Sequence, residues 1–341
     1  MLLLDTADIH TMIKRVGLPS FYLQLIEQLK QDFQHWEQFQ KSPRHAIHVE
    51  GGVMELMPIC DDTYYSFKYV NGHPANPLKG RLNIVALGML AEVAHGHPVM
   101  LASMTVLTAI RTAAVAALSS QYLAKKSSKK IAIIGCGAQS EFQILAHHAV
   151  FDLDEVRCFD LSSDAMNRFA RNLASESFDL VVANSCLDAI KDADIIITST
   201  AVKGKHQILH AHDIQPGQHI CAIGGDSPGK TELDPHLLKQ AKLVIEYFPQ
   251  TQEEGEIQNL KPDAEAYIYA ELWELIRQIK PGRIDDDEVT VFDAVGFALE
   301  DLSTLKLCYA LAKKQKLGTS FDLGGGALKD PKDLYGLFLR E

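Results

Sequence analysis

Apolar residues recur at helical spacing between positions 20 and 40, where Phe21, Leu23, Leu25, Ile26, Leu29, Phe33 and Trp36 mark one face of a helix. From residue 46 the pattern shortens to strand-like runs. Ala46–Val49 and Val53–Met57 are separated by Gly51-Gly52, and Tyr64–Val70 ends at a turn of Asn71-Gly72-His73-Pro74. Further strands are predicted at 82–92 and 98–104, so the N-terminal region reads as α+β. An alanine-rich helix over 105–124 follows, then a polar basic run, 125–130, that marks a boundary.

From residue 131 short buried runs alternate with helical stretches. Strands are predicted at 131–134, 155–160, 180–183, 195–197, 219–223 and 243–245, with helices to about 149, over 163–175 and over 297–316 before a glycine-rich tail. Strand–helix alternation of this kind builds a parallel sheet covered on both faces, a doubly wound α/β fold of Rossmann type.

At 341 residues the chain is long for one core, which predicts two domains. A net charge of -11 argues against a nucleic-acid partner, whose phosphates call for a basic surface. No apolar run is long enough for a membrane helix, and Met1–Asp5 lacks the basic start and apolar length of a signal peptide. The six cysteines are scattered with no C-x-x-C pair, so they read as free thiols of a cytoplasmic protein.

The first chemical signal is Gly135-Cys136-Gly137-Ala138-Gln139-Ser140, between a buried strand and a helix. Gly135 permits the tight turn, and Gly137 lets backbone approach a pyrophosphate at the helix N-terminus. Asp160 ends the next predicted strand, where a carboxylate accepts hydrogen bonds from adenosine ribose hydroxyls and repels the extra phosphate of NADP. The pattern therefore calls for NAD. Ser140 stands where the fingerprint has a third glycine or alanine, and is tolerated if the helix sits slightly further from the strand.

The segment 134–142 resembles the loop of the ornithine cyclodeaminase and mu-crystallin family. So do Val53–Pro58, Phe67–Asn76, Gly224–Leu233 and Val291–Asp301, which spread the resemblance over nearly the whole chain. The Gly224-Gly225-Asp226 segment favours the family's ornithine-cyclising branch. The resemblance implies a discontinuous substrate-binding and dimerisation domain, 1–112 plus 317–341, around an NAD-binding domain, 113–316, in a homodimer. It implies conversion of L-ornithine to L-proline and ammonia, and so a place in proline formation and ornithine catabolism. Hydride leaves the substrate α-carbon for the nicotinamide, the side-chain amine closes the ring on the imine, ammonia departs, and the hydride returns. Water must be kept out, because hydrolysis of the imine would release a keto acid.

The resemblance also supplies roles. Arg44, Lys68 and Arg111 become the cations for the substrate carboxylate, as planar or point-charge donors suit that group. Arg111 also matches a position near the cofactor. Asp226 becomes the general base; its alternative reading is a turn or capping aspartate. Glu55 is expected to hold the distal amine, unless strand alternation simply turns it to solvent. Val295 lines the substrate site. Asn83, Ala138, Gln139, Thr200, Lys230 and Ala294 take cofactor positions, although Asn83 stands where a threonine is expected and Ala294 where a serine is expected. Alanine cannot replace the serine's hydrogen bond.

The alternatives are an NAD(P)-dependent amino-acid dehydrogenase, a cyclic-imine reductase, a lysine-cyclising enzyme, or a non-catalytic mu-crystallin-like binding protein. The histidines at 95, 97, 206, 210, 212 and 219 form no ligand motif, and Asp285–Glu288 lacks the spacing of a calcium loop, so no metal is expected.

Overall fold

A computed structural model describes residues 1–201, 204–323 and 330–339. The expected C-terminal part of the substrate domain, 317–341, lies partly outside the described residues.

Two sheets organise the chain. In the first, strands run in the order Thr319–Ser320, Leu2–Leu4, Pro98–Ser103, Ala86–Glu92, Tyr64–Gly72, Gly52–Cys60 and Gln40–Lys41, with His45–Val49 also pairing on Gly52–Cys60. Neighbours are antiparallel except for Leu2–Leu4 beside Pro98–Ser103. The second sheet is wholly parallel. Its order is Asp179–Val182, Glu155–Phe159, Lys130–Ile134, Ile195–Thr198, His219–Ala222, Thr290–Asp293, Lys242–Ile245 and Ile268–Glu271. This is a doubly wound Rossmann-type sheet, with chain reversal between Lys130–Ile134 and Ile195–Thr198.

One apolar core continues from the first sheet through helices Leu18–Gln34, Thr105–Leu123 and Ala298–Gln315 to one face of the parallel sheet; a second fills the other face. The Ala-rich sequence of Thr105–Leu123 suits this position. Small side chains let it pack against both sheets, and most of it is buried.

Several boundaries differ from the sequence pattern. The helix predicted over 20–40 stops at Gln34 and continues as the short turn Trp36–Gln38. Residues 82–85 are not strand; the strand begins at Ala86. Leu2–Leu4, Thr6–Val16, Lys205–Leu209, Thr231–Leu233, Ile268–Glu271 and Thr290–Asp293 escaped the pattern because they are short or flanked by polar residues. The six cysteines are unpaired, and no helix among the described residues is long and apolar enough to cross a membrane.

Candidate functional site

Between the two sheets lies a cavity of ≈ 500 Å³. The first sheet lends it Glu55, Met57 and Lys68, helix Thr105–Leu123 lends Thr108, Arg111 and Thr112, and the parallel sheet's loops lend Gln139, Asp226, Lys230, Ala294 and Val295. Arg44 and Asn83 complete the set of predicted residues in its wall. These positions are scattered over 251 residues of sequence, yet they converge at the carboxyl ends of the parallel strands, where such sheets bind ligands.

The glycine loop behaves as its sequence requires. Gly135 has φ 100°, and a Cβ there would lie 2.7 Å from the Ser199 carbonyl oxygen, so only glycine lets the two strand ends pass. Gly137 has nothing within 4 Å of where its Cβ would be, which leaves open space for a phosphate. Asp160 accepts the Cys136 N–H and the Ser162 N–H at 2.8 Å each, one per oxygen, and retains lone pairs for ribose hydroxyls. Ser140 is fully buried and its hydroxyl meets the Gly137 carbonyl at 2.7 Å. The serine thus bonds the loop at the position where the usual fingerprint has a third glycine. These residues fit a dinucleotide.

Thr200 is not in the wall of this cavity. It sits two residues beyond the strand end at Thr198, and its N–H donates to Glu232 Oε1 at 2.8 Å while its hydroxyl bonds the same oxygen. Neither group faces the cavity wall; the neighbouring Ala201 does. Glu232 explains the glycine pair before Asp226. A Cβ on Gly224 would overlap the Glu232 carboxylate, and one on Gly225 would overlap that of Glu256. Burial pushes the carboxyls of both acids up.

Asp226 projects from this turn half-exposed, with Lys230 Nζ 3.0 Å from Oδ1. It caps no helix, so the capping alternative fails, and Lys230 orients it in the cavity instead.

The cations are held by acids that the pattern had not assigned a role. Asp301 Oδ1 accepts Lys68 Nζ at 2.9 Å and Arg111 Nε at 3.0 Å. Glu300 Oε2 accepts Arg111 Nη1 at 2.7 Å. Burial and the adjacent Arg111 guanidinium push the Lys68 amine down to about 8, against the pull of Asp301. Arg111 stays charged because Asp301, Glu300 and Glu246 outweigh its desolvation. Behind Arg111, burial and the neighbouring Glu246 push the Glu300 carboxyl up against the pull of Arg111, and burial pushes the Glu246 carboxyl up as well. Glu246 Oε2 in turn accepts the Val295 and Gly296 N–H groups at 2.9 and 2.7 Å.

Arg44 is more fully engaged. Nη2 donates to the carbonyls of Val295 and Gly296 at 2.7 and 2.8 Å, Nη1 to both oxygens of Glu55 at 3.2 Å. Its Nε lies 3.0 Å from Glu254, an ion pair without hydrogen-bond alignment. Burial raises the Glu254 carboxyl to about 7, Arg44 opposing and Glu55 and Asp226 adding to the rise. Glu55 faces inward, on the side of its strand that carries buried Met57 and Ile59, while Leu56 is exposed. The solvent-facing reading of Glu55 is therefore wrong, but its partner here is Arg44 and not an open space.

Unspent capacity marks where a ligand would sit. Arg111 Nη2 makes no hydrogen bond among the described residues, and Lys68 Nζ makes one of three. Thr108 Oγ1 and Asn83 Oδ1 are buried in the wall without partners among the described residues. Thr108 was missed, although it stands one helical turn before Arg111 on the same face. No group of three or more potential metal ligands occurs among the described residues.

A Rossmann-type sheet whose glycine loop opens beside a pocket of buried cations defines a dinucleotide-binding protein with a site for a small acid. The chain belongs to the ornithine cyclodeaminase/mu-crystallin family, whose sequence model matches residues 7–316. It is 45% identical over 329 residues to an ornithine cyclodeaminase of Brucella suis biovar 1 (strain 1330), covering 96% of this chain and 91% of that one. Among solved structures it resembles an archaeal alanine dehydrogenase dimer with bound NAD (TM-score 0.87, 29% identity, 95% and 99% of the two chains). It resembles equally a lysine cyclodeaminase studied for recognition of L-lysine, L-ornithine and L-2,4-diaminobutyric acid (TM-score 0.88, 28% identity, 97% and 98%).

Proposed function

We propose that this chain converts L-ornithine to L-proline and ammonia with catalytic NAD, as a cyclising ammonia-lyase. The observation that carries the reading is the meeting of Asp226, from the parallel sheet, with Lys68 and Arg111 in one cavity beside Gln139 of the glycine loop. When bound, NAD supplies an acceptor that takes the substrate α-hydrogen as hydride and gives it back.

Gly135, Gly137, Ala138, Gln139 and Asp160 would hold the dinucleotide, with Lys230 and Asn83 at the cavity side. Ala294 offers no hydrogen bond there. Lys68 and Arg111 turn their unspent donors to the substrate carboxylate, and Val295 packs on its chain. Asp226 takes the proton released as the α-ammonium or the attacking amine becomes neutral. The walls from both sheets keep water from the imine until the ring closes.

A homodimer through the outer face of the first sheet completes the proposal. Ile47, Leu56 and Leu87 are exposed apolar residues on that face, Leu56 and Leu87 flanking Tyr69 of the strand between them, and the archaeal relative is a dimer. Leu87→Glu should then yield monomer by light scattering. Unpaired thiols at all six cysteines support a reducing compartment, the cytoplasm.

Incubation with L-ornithine and NAD should release equimolar proline and ammonia with no build-up of NADH absorbance. Stoichiometric NADH would replace this reading with a dehydrogenase. Turnover on ornithine, lysine and arginine should favour ornithine; one methylene is worth only about 1–3 kcal/mol in a pocket, so lysine is the competitor to watch.

A further inference from the structure

The turn Asn71-Gly72-His73-Pro74 and the glycine pair Gly51-Gly52 take no part in the chemistry above, yet they meet at one side of the cavity. Gly51, Gly52, Asn71, Gly72, Pro74 and Asn83 all stand in its wall. Gly51 turns the hairpin with φ 80°. A Cβ on Gly52 would lie 2.4 Å from His73 Cδ2, so only glycine lets the imidazole close over the hairpin end.

From there the ring reaches Asn71, with His73 Nδ1 2.9 Å from Asn71 Nδ2. The Asn71 amide has one possible orientation. Its Oδ1 accepts the Val85 N–H at 2.8 Å, and its Nδ2 donates to the Asn83 carbonyl at 3.1 Å. A backbone N–H only donates and a carbonyl only accepts, so the group that faces His73 is the NH2. Nδ1 therefore accepts, which fixes a neutral ring with its proton on Nε2. The Asn83 carbonyl also accepts the His73 N–H at 3.0 Å. Asn83 is thus gripped twice at its backbone, while its Oδ1 stays buried and unpartnered among the described residues.

Building on the NAD binding of the proposed function, we infer that neutral His73 is a positioning residue for the cofactor side of the cavity. Through Asn71 it holds Asn83 and Val85, and through Gly52 it holds the hairpin against them. A proton on Nδ1 sets two donors face to face. The Asn71 amide cannot turn to accept that proton without giving up its bonds to Val85 and Asn83, so the wall loosens around Asn83.

Other titratable groups stand on the elements that meet at this ring. They are His48, Glu50 and Glu55 of the hairpin, Lys68 of strand Tyr64–Gly72, and Lys79 and Arg81 of the following loop. Glu55 and Lys68 are engaged by Arg44 and Asp301, and no ion pair to His73 occurs among the described residues. The difference between wild type and His73→Phe isolates the ring from all of them, because phenylalanine covers Gly52 but takes up no proton.

Nitrogen-15 NMR of histidine-labelled protein reads the tautomer, His73 being the signal lost in His73→Phe. NADH fluorescence reads cofactor affinity in both proteins between about pH 8 and about pH 5.5, the range over which histidines charge. Wild type should show Nδ1 bare and Nε2 protonated at the upper pH. Its NADH affinity should fall about tenfold in step with protonation of His73, the scale of one lost hydrogen bond. His73→Phe should bind within about threefold of wild type at the upper pH, with that step gone. A proton on Nδ1 of the neutral ring overturns the inference, as does a step of equal size in the variant. Should the variant not fold, the wild-type tautomer and the match between His73 protonation and affinity decide the matter. Absence of NADH binding at any pH removes the NAD reading and the role of His73 together; firm binding indifferent to His73 removes the role alone.

Discussion

Helix Thr105–Leu123 carries polar side chains into the interior in both of its halves. In the first half, Thr108 and Arg111 face the cavity among Glu300, Asp301 and Lys68. In the second, Ser120 enters a neutral chain of contacts. Its hydroxyl meets His147 Nε2 at 3.0 Å and Cys221 Sγ at 3.3 Å; Cys221 meets His219 Nε2 at 3.2 Å, and His219 Nδ1 meets Thr290 Oγ1 at 2.8 Å. The ends are closed by the Gln143 carbonyl on His147 and, at Thr290, by the Leu123 carbonyl and the Arg283 guanidinium, the one charge that touches the chain among the contacts described. Both regions are buried. The second has its members partnered, whereas the first leaves Thr108 Oγ1, Asp301 Oδ2 and Arg111 Nη2 without partners among the described residues. Hydrogen-bonding capacity left over in a buried charged cluster is a marker of binding; capacity used up is a marker of scaffolding.

Removing a charge from the first region should have the largest effect. Arg111→Met leaves Glu300 and Asp301 buried without their cation, which should cost about 3–5 kcal/mol of stability. Proline formation should vanish together with the lowered urea midpoint. A variant of unchanged stability would show that the buried acids take up protons once the cation is gone.

Asp226→Asn separates chemistry from stability within the same region. Asp226 is half-exposed and among the described residues pairs with Lys230, so the unfolding free energy from urea titration should change by no more than about 0.5 kcal/mol. Turnover should fall about 10²–10⁴-fold if it moves a proton. Undiminished proline formation would remove Asp226 from the mechanism.

Much of this contrast was legible in the chain. The glycine loop, Asp160 and the parallel strands are local patterns, and they fold as read. Lys68, Arg111 and Asp226 were found through motif resemblance, and the cavity gathers them. The acids that hold them were not readable. Glu246, Glu254 and Glu300 look like ordinary surface carboxylates until the end of strand Lys242–Ile245 and helices Phe248–Glu254 and Ala298–Gln315 bring them inward. Arg44 and Glu55 were read as two independent ligand contacts; eleven positions apart on one antiparallel hairpin, they are a pair.

The neutral chain should show itself through pH. Burial pushes His147 down to about 4 and His219 well below its ordinary value. A histidine whose folded pKa lies below its unfolded one contributes stability above pH 6.5 that is lost as pH falls toward the folded value. The buried acids act oppositely: Glu254 and Asp293, each raised to about 7, lose stability as pH rises from 4.5 or below through 7. A raw melting curve against pH mixes the two regions, so the difference between wild type and His147→Asn is the useful quantity. That difference should shift against wild type by about 2 kcal/mol between pH 6.5 and pH 5. A constant difference would mean that His147 is not held neutral.

The smallest effect belongs to Ser140, which stands at the dinucleotide loop but is built like the scaffold. Its hydroxyl is fully buried and spends its donor within the protein, at 2.7 Å from the Gly137 carbonyl and 2.8 Å from Glu141 Oε2. Nothing in that geometry faces a ligand. Ser140→Ala should therefore lower stability by about 1 kcal/mol, the net worth of one such bond, and leave NAD affinity within about threefold. Ser140→Gly restores the usual fingerprint, yet it should be no more stable than the alanine variant, since glycine adds backbone entropy to the lost bond. If alanine instead abolishes NAD binding while the fold persists, the hydroxyl sets the loop's shape toward the phosphates. Ser140 would then belong with the unspent groups of the cavity.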